Sequence, residues 1–71
     1  MARLMKEEYS KVEVEFKTCK ELSILIAVDD AEFWIPRSLI SYRSDMEVER
    51  LRRGETFTLE LLTWKAQQIG L

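Results

Sequence analysis

The clearest pattern in the chain is a strict alternation of apolar and charged side chains from residue 9 onward. Val12, Val14 and Phe16 alternate with lysine and glutamate, which is the two-residue period of a strand with one buried face. The row of charges on the other side of such a strand is typical of a solvated face. Residues 18–21 then predict a turn or an irregularity in the strand.

The next segment, residues 22–28, is apolar on both faces. A strand of this kind is typical of a central position that is covered on both sides. Asp29 and Asp30 follow it and predict a two-residue hairpin turn, although the glycine that such turns prefer is missing.

A third strand is predicted to run into the proline of the chain, Pro36, and to stop there, because proline cannot donate to a ladder. Phe33 and Ile35 should face the core, and Trp34 should point the other way. Trp34 is then expected to meet Leu25 of the preceding strand on a second face that needs a cover.

The second half of the chain is less regular. Residues 41–53 fit a loop, a ragged strand or a short helix, whereas residues 55–61 alternate again and predict a fourth strand. Its inward side chains are Phe57, Leu59 and Leu61.

The chain ends in a predicted short helix over residues 64–69. Thr63 is expected to be its N-cap, and Gly70 is expected to provide a left-handed C-terminal cap with Leu71 folding back as an apolar contact. We expect this helix to cover the face that holds Leu25 and Trp34, and core packing to account for both tryptophans.

Together these elements predict a single domain over residues 1–71, with residues 1–8 as a frayed N-terminus. The predicted fold class is mainly β (α+β): a small bent antiparallel sheet or partly open barrel of about four strands with a short C-terminal helix.

Composition argues against catalysis. The chain has no histidine, one cysteine, and two glycines that lie far apart at positions 54 and 70. These counts remove the commonest general base, a structural zinc site and a glycine-rich phosphate loop. Cys19 is interpreted as a small half-buried residue near a turn, with a reactive thiol between two lysines as the alternative. We therefore expect no enzyme activity, no cofactor, no metal site and no small-molecule substrate.

The charges are unevenly distributed although the net charge is only −2. Residues 1–35 carry five basic and eight acidic side chains. The acidic residues of this half predict a surface that engages a basic site on another protein; these protein-interaction candidates are Glu13, Glu15, Asp29, Asp30 and Glu32. The densest acidic cluster, residues 29–32, is interpreted as a surface turn rather than as a metal site.

Residues 37–53 reverse the balance, with five arginines against three acids. Aromatic side chains with basic neighbours are typical of proteins that bind single-stranded nucleic acid. The nucleic-acid candidates under this alternative are Trp34, Arg37, Tyr42, Arg43, Arg50, Arg52 and Arg53. Glu47 and Glu49 lie among these arginines and are able to pair with them, which weakens the electrostatic signal.

The N-terminus lacks the apolar core of a signal peptide, and no apolar run approaches the roughly 20 residues that span a bilayer. We therefore expect no contact with a membrane and a cytoplasmic location.

Residues 33–40, Phe-Trp-Ile-Pro-Arg-Ser-Leu-Ile, follow a strand and an acidic turn. This stretch resembles a Trp-(Ile/Leu)-Pro-Lys-Ser-hydrophobic motif of small phage and mobile-element proteins. Those proteins end in a tryptophan-containing helix that finishes in Gly-Leu, as residues 64–71 do here. The resemblance covers residues 18–71, with Arg37 in place of lysine and no Pro-Glu pair before Trp64. It implies a phage or mobile-element setting rather than an activity, and a structural role for the motif.

Three functional hypotheses follow. The first is a non-enzymatic, phage-type accessory protein that binds a host protein complex, most concretely an inhibitor of a defence nuclease of the anti-CRISPR kind. The second is a small-barrel protein that binds single-stranded nucleic acid. The third is a structural or homodimerising phage protein.

Overall fold

The computed structural model of the protein describes residues 8–71. Most of the frayed N-terminus predicted for residues 1–8 lies outside the described residues. The strands are β1 (Tyr9–Cys19), β2 (Ser23–Val28), β3 (Ala31–Pro36) and β4 (Thr56–Leu62), and the helices are α1 (Tyr42–Val48) and α2 (Thr63–Ile69). No helix within residues 8–71 has the length and apolar character needed to cross a membrane.

The four strands form one open sheet in the order β3-β2-β1-β4, and all neighbouring strands are antiparallel. The predicted fold class, mainly β with a short C-terminal helix, is confirmed. The predicted two-residue turn is also confirmed: Asp29 and Asp30 join β2 to β3. Asp29 has a φ of 56°, a left-handed conformation that aspartate tolerates better than most residues.

β1 is a long strand that is shared between two partners. Residues from Tyr9 to Glu15 pair with β4, and residues from Glu15 to Cys19 pair with β2. The register against β2 shifts between Phe16 and Thr18, and an irregularity of this kind bends a strand and increases its twist. The irregularity precedes the predicted segment 18–21: β1 continues to Cys19, and the turn to β2 occupies residues 20–22.

One face of the sheet carries the hydrophobic core. Ile24 of β2 and Ile35 of β3 lie opposite each other and are fully buried, and each contributes about 1.5–3 kcal/mol through burial. Phe16 and Phe57 pack edge to face, with ring centroids 6.4 Å apart. The buried apolar residues of this core are Val14, Phe16, Ile24, Ile26, Ile35, Ile40, Val48, Phe57, Leu59, Leu61 and Ala66.

The segment that fitted loop, strand or helix forms α1 and a following turn. Ser41 is the N-cap of α1, because its Oγ accepts a hydrogen bond from the backbone N–H of Ser44 at 3.1 Å. The backbone N–H of Glu60 donates to the Oγ of Ser44 at 2.8 Å, and the carbonyl of Glu60 accepts from the N–H of Ser41 at 2.9 Å. These bonds satisfy peptide groups on the outer edge of β4 and attach α1 to it.

The end of α2 is capped as predicted. Gly70 has a φ of 85°, and its N–H donates to the carbonyl of Gln67 at 3.2 Å. The N–H of Leu71 donates to the carbonyl of Ala66 at 2.8 Å, and the side chain of Leu71 packs against the core. This pair of bonds is the Schellman arrangement, which requires the left-handed conformation that glycine adopts without steric cost.

The start of α2 differs from the prediction. The N-cap is Leu62 and the helix begins at Thr63. Thr63 is the first residue of the helix, and its hydroxyl does not bond to the helix backbone. Instead, Oγ1 of Thr63 forms a hydrogen bond of 2.9 Å with Oγ of Ser10. That bond ties the first turn of the helix to β1.

The position of α2 also corrects the prediction. The helix does not cover Trp34, since its buried residue Ala66 belongs to the core on the opposite face of the sheet. β2 is central, as predicted, but Leu25 on its second face is only half-buried. Trp34 and Trp64 are 47% and 55% exposed, so the expectation that both pack in the core is wrong. α2 follows β4 directly. Ala66, Ile69 and Leu71 therefore pack against the core and not against the face that holds Trp34.

Candidate interaction surfaces

The face of the sheet opposite the core, which we call the open face, brings three predicted acidic candidates together. Its residues are Lys11, Glu13, Glu15, Leu25, Ala27, Glu32 and Trp34, together with Thr56, Thr58 and Glu60 of β4. Ala27 of β2 pairs with Glu15 on one side and with Glu32 on the other. The Cα atoms of these two glutamates are therefore about 10 Å apart, which is two strand spacings.

The open face remains acidic after its internal contacts are counted. Glu15 forms an ion pair with Lys17 at 3.3 Å, and Glu13 accepts a hydrogen bond from Oγ1 of Thr58 at 2.9 Å. Within residues 8–71, neither Glu13 nor Glu32 has a cationic partner. The exposed carboxylates of Glu13 and Glu32 are thus available to a binding partner.

The other two acidic candidates, Asp29 and Asp30, lie at the tip of the β2–β3 hairpin and are exposed. The tip continues directly into Ala31 and Glu32 of β3, so the acidic surface extends from the open face to the hairpin tip. In the described part of the chain, no three carboxylate or thiol groups come together as metal ligands would.

Trp34 is the exposed aromatic residue of the open face. It pairs with Leu25 on β2, and the Nζ atom of Lys20 lies 5.1 Å from the centroid of its ring. An ammonium group at this distance holds the indole through a cation–π interaction. The ring is thereby oriented, while about half of its surface stays accessible.

Arg37 joins three parts of the fold and is 16% exposed. Its Nε donates to Oδ1 of Asp45 at 2.7 Å, and its Nη2 donates to Oε2 of Glu49 at 2.7 Å. Its Nη1 donates to Sγ of Cys19 at 3.0 Å and to the carbonyl oxygen of Lys20 at 3.3 Å. The hydrogen bonds to Asp45 and Glu49 raise the pKa of Arg37 above its ordinary value.

This network changes the interpretation of Arg37. Its guanidinium was a candidate for phosphate contact, but its donors are directed at groups of the same chain. The arginine connects the turn after β3 to α1 and to the end of β1, which is a structural task. Arg37 is therefore no longer grouped with the other arginines that are candidates for phosphate contact.

Cys19 is placed where its thiol is less reactive than that of an exposed cysteine. Burial raises the pKa of the Cys19 thiol above its ordinary value, and the smaller opposing effect of Arg37 does not offset it. Since the thiolate is the nucleophile, a raised pKa lowers reactivity at neutral pH. The structure favours the interpretation of Cys19 as a half-buried packing residue.

A second surface lies on the outer side of α1, and we call it the basic surface. It comprises Tyr42, Arg43, Met46, Arg50, Arg52 and Arg53. Tyr42 is 79% exposed and Met46 is 48% exposed. A shallow groove of about 580 Å³ runs between these side chains, and it is lined by Tyr42, Arg43, Met46, Glu47 and Arg50.

The last two arginine candidates lie on the connection from α1 to β4, and both are exposed. Nη1 of Arg53 donates to the carbonyl oxygen of Lys17 at 3.2 Å, and no carboxylate within residues 8–71 forms an ion pair with it. Trp34 lies on the open face and not on this surface. The structure thus groups Tyr42 with Arg43 and Arg50 in one groove. It places Arg52 and Arg53 on the connection that follows α1 and leaves out Trp34 and Arg37.

Sequence reasoning missed two features of these surfaces. The spacing of Asp45 and Glu49, four residues apart, puts them on one side of a helix, but nothing local indicated that Arg37 would reach both. The exposure of Met46 was also missed, because a short helix was only one of three structures that the sequence left open for residues 41–53. Both features depend on where the chain returns after β3.

No protein-family model matches the chain, and no curated protein or solved structure is similar enough to it to count as a match.

Proposed function

We propose that the protein is a non-enzymatic accessory protein of phage type that binds a host protein complex through its open face. The observation that carries the proposal is the half-exposed Trp34 beside the exposed carboxylate of Glu32, with the carboxylate of Glu13 further along the same open face. Tryptophan is enriched among residues that dominate binding energy at interfaces. Carboxylates around such an anchor favour a partner that has a basic rim around an apolar pocket.

The most concrete version of this function is an inhibitor of a defence nuclease, of the anti-CRISPR kind, acting in the cytoplasm of the host cell. Nucleases of this type hold nucleic acid in positively charged channels. Glu32, together with Asp29 and Asp30 at the adjoining hairpin tip, presents a run of negative charge to such a channel, and Glu13 adds a carboxylate on the same face. Inhibition would result from steric and electrostatic occupation of the nucleic-acid site. The phage-type motif at residues 33–40 supports the setting.

The test begins with capture of partners from host lysate on the tagged protein, with and without nuclease treatment. A partner that survives nuclease treatment is then purified, and its affinity is measured for the wild type, for Glu32→Lys and for Trp34→Ala. Charge reversal against a basic site costs several kcal/mol, and removal of an anchoring tryptophan costs about 2 kcal/mol or more. We therefore expect each variant to weaken binding at least about 30-fold.

The matched control is Gln67→Lys with Gln68→Lys. It changes the net charge by the same +2 as Glu32→Lys, but it does so on exposed positions of α2, away from the open face. We expect it to bind as tightly as the wild type. The proposal fails if Glu32→Lys and Trp34→Ala also bind normally, or if every captured partner is lost on nuclease treatment.

A further inference from the structure

The contacts of Arg37 alter the charge balance of residues 37–53. Counted along the chain, this segment holds five arginines and three acids. Two of the acids, Asp45 and Glu49, are paired with the largely buried Arg37. What remains is four exposed arginines against Glu47. Within the described residues, none of these four arginines forms an ion pair.

Two of the remaining arginines, Arg43 and Arg50, line one groove with the exposed side chains of Tyr42 and Met46. Arg43, Met46 and Arg50 lie three, then four, residues apart, so they follow one side of α1 and its final turn. Tyr42 lies one helical turn before Met46 and has the greatest exposure among the large apolar residues of the described chain. The groove of about 580 Å³ between them is open to solvent.

From this arrangement we infer that the basic surface binds single-stranded nucleic acid, with the arginines contacting phosphates and Tyr42 stacking on a base. A chain of phosphates is complementary to several uncompensated arginines, and stacking on an exposed aromatic ring is available to every base. The inference goes beyond the proposed function, because it concerns a different surface and a partner of opposite charge. The two surfaces allow the protein to contact a nucleoprotein complex at both its protein and its nucleic acid.

The test is a fluorescence anisotropy titration with a labelled oligothymidylate of about 20 nucleotides, long enough for one small domain. Each phosphate contact on a single strand contributes about −0.7 to the slope of log affinity against log salt. Four contacts therefore predict an approximately 50-fold loss of affinity between 50 and 200 mM salt. The double variant Arg43→Gln with Arg50→Gln keeps two phosphate contacts. Its affinity should therefore fall only about sevenfold over the same change of salt.

Stacking is tested separately with Tyr42→Ala and Tyr42→Phe. The alanine variant should bind at least about fivefold more weakly, because a base loses its aromatic partner. The phenylalanine variant should bind as the wild type does, since it keeps the ring. Tyr42 is exposed, so both variants should fold, and circular dichroism verifies this.

The matched control for the arginine pair is Lys20→Gln with Lys65→Gln. It removes the same two positive charges from the β1–β2 turn and from α2, and we expect the salt slope to be unchanged.

Three outcomes would overturn the inference. The first is a loss of affinity in the lysine control equal to that in the arginine pair, which would indicate a general charge effect. The second is unchanged binding by Tyr42→Ala. The third is tighter binding of polyglutamate than of the oligonucleotide, which would assign the surface to an acidic peptide.

Discussion

At the scale of single residues, Arg37 shows how one side chain determines the role of its neighbours. Its guanidinium fork reaches a thiol, a backbone carbonyl and two carboxylates. The two carboxylates are not equivalent, because the side chain of Asp45 is 37% exposed and that of Glu49 is 63% exposed. An exposed ion pair contributes little to stability, so the bond to Asp45 is the stronger of the two.

Replacement of Arg37 by lysine is predicted to lower the free energy of unfolding by about 1–3 kcal/mol, since an ammonium cannot reproduce the planar fork. Asp45→Asn should lower the free energy of unfolding more than Glu49→Gln does, because Asp45 is the less exposed of the two carboxylates. Urea unfolding measures all three variants. Arg43→Lys, at an exposed site that forms no ion pair with any residue from 8 to 71, is the control and should stay within about 0.5 kcal/mol of the wild type. Equal losses at Arg37 and Arg43 would refute the structural role.

At the scale of elements, two serines explain why α1 lies against β4. The hydroxyl of Ser41 caps the helix and donates to Oε1 of Glu60 at 2.7 Å. Ser44 is 1% exposed, and its hydroxyl accepts the backbone N–H of Glu60. An edge strand normally leaves such groups to solvent or to another chain, whereas here a helix of the same chain occupies them.

Ser44→Ala is predicted to destabilise the protein by about 1–3 kcal/mol, because a buried N–H group loses its acceptor. Ser41→Ala should cost about 1 kcal/mol as the loss of an N-cap. The natural control is Ser38→Ala, since Ser38 is exposed and forms no side-chain hydrogen bond within residues 8–71. Thermal and urea unfolding compare the three variants. A loss at Ser38 as large as that at Ser44 would contradict the assigned role.

At the scale of the whole molecule, parts of both outer edges of the sheet are protected. At the edge of β4, the peptide groups of Glu60 form hydrogen bonds with Ser41 and Ser44. At the other edge, the N–H of Arg37 donates to the carbonyl of Leu22 at 2.9 Å, so odd-numbered residues of β3 face β2 and even-numbered residues face outward. Among these, Pro36 has no N–H group, and only Glu32 and Trp34 offer donors along β3. A short edge with a proline and a charge resists pairing with another copy.

The protein is therefore predicted to sediment as a monomer of 8.4 kDa even at high concentration. Pro36→Val restores an outward donor and places a β-branched residue on the edge, and it should increase self-association. Sedimentation velocity over a concentration series measures both proteins. A wild-type dimer would support the hypothesis of a homodimerising phage protein over this account of the edges.

Several parts of the fold and of the candidate surfaces were predictable because their physical causes are local. Alternation in β1 and β4 indicated which side chains share a face, the acidic dipeptide marked the hairpin turn, and Gly70 marked a left-handed cap. Three of the acidic candidates, Glu13, Glu15 and Glu32, share the open face. Their grouping follows from strand parity once the strands pair.

The sequence by itself thus determined the strands, the hairpin turn, the C-terminal cap and the uneven distribution of charge, since each depends on neighbouring residues. Only the tertiary structure decided that α2 covers the core face and leaves Trp34 exposed. It also decided that Arg37 takes Asp45 and Glu49 away from the basic surface. These outcomes depend on contacts between segments that are distant in the chain. Local periodicity shows which residues are charged or apolar, but it does not show which of several possible partners each residue will contact.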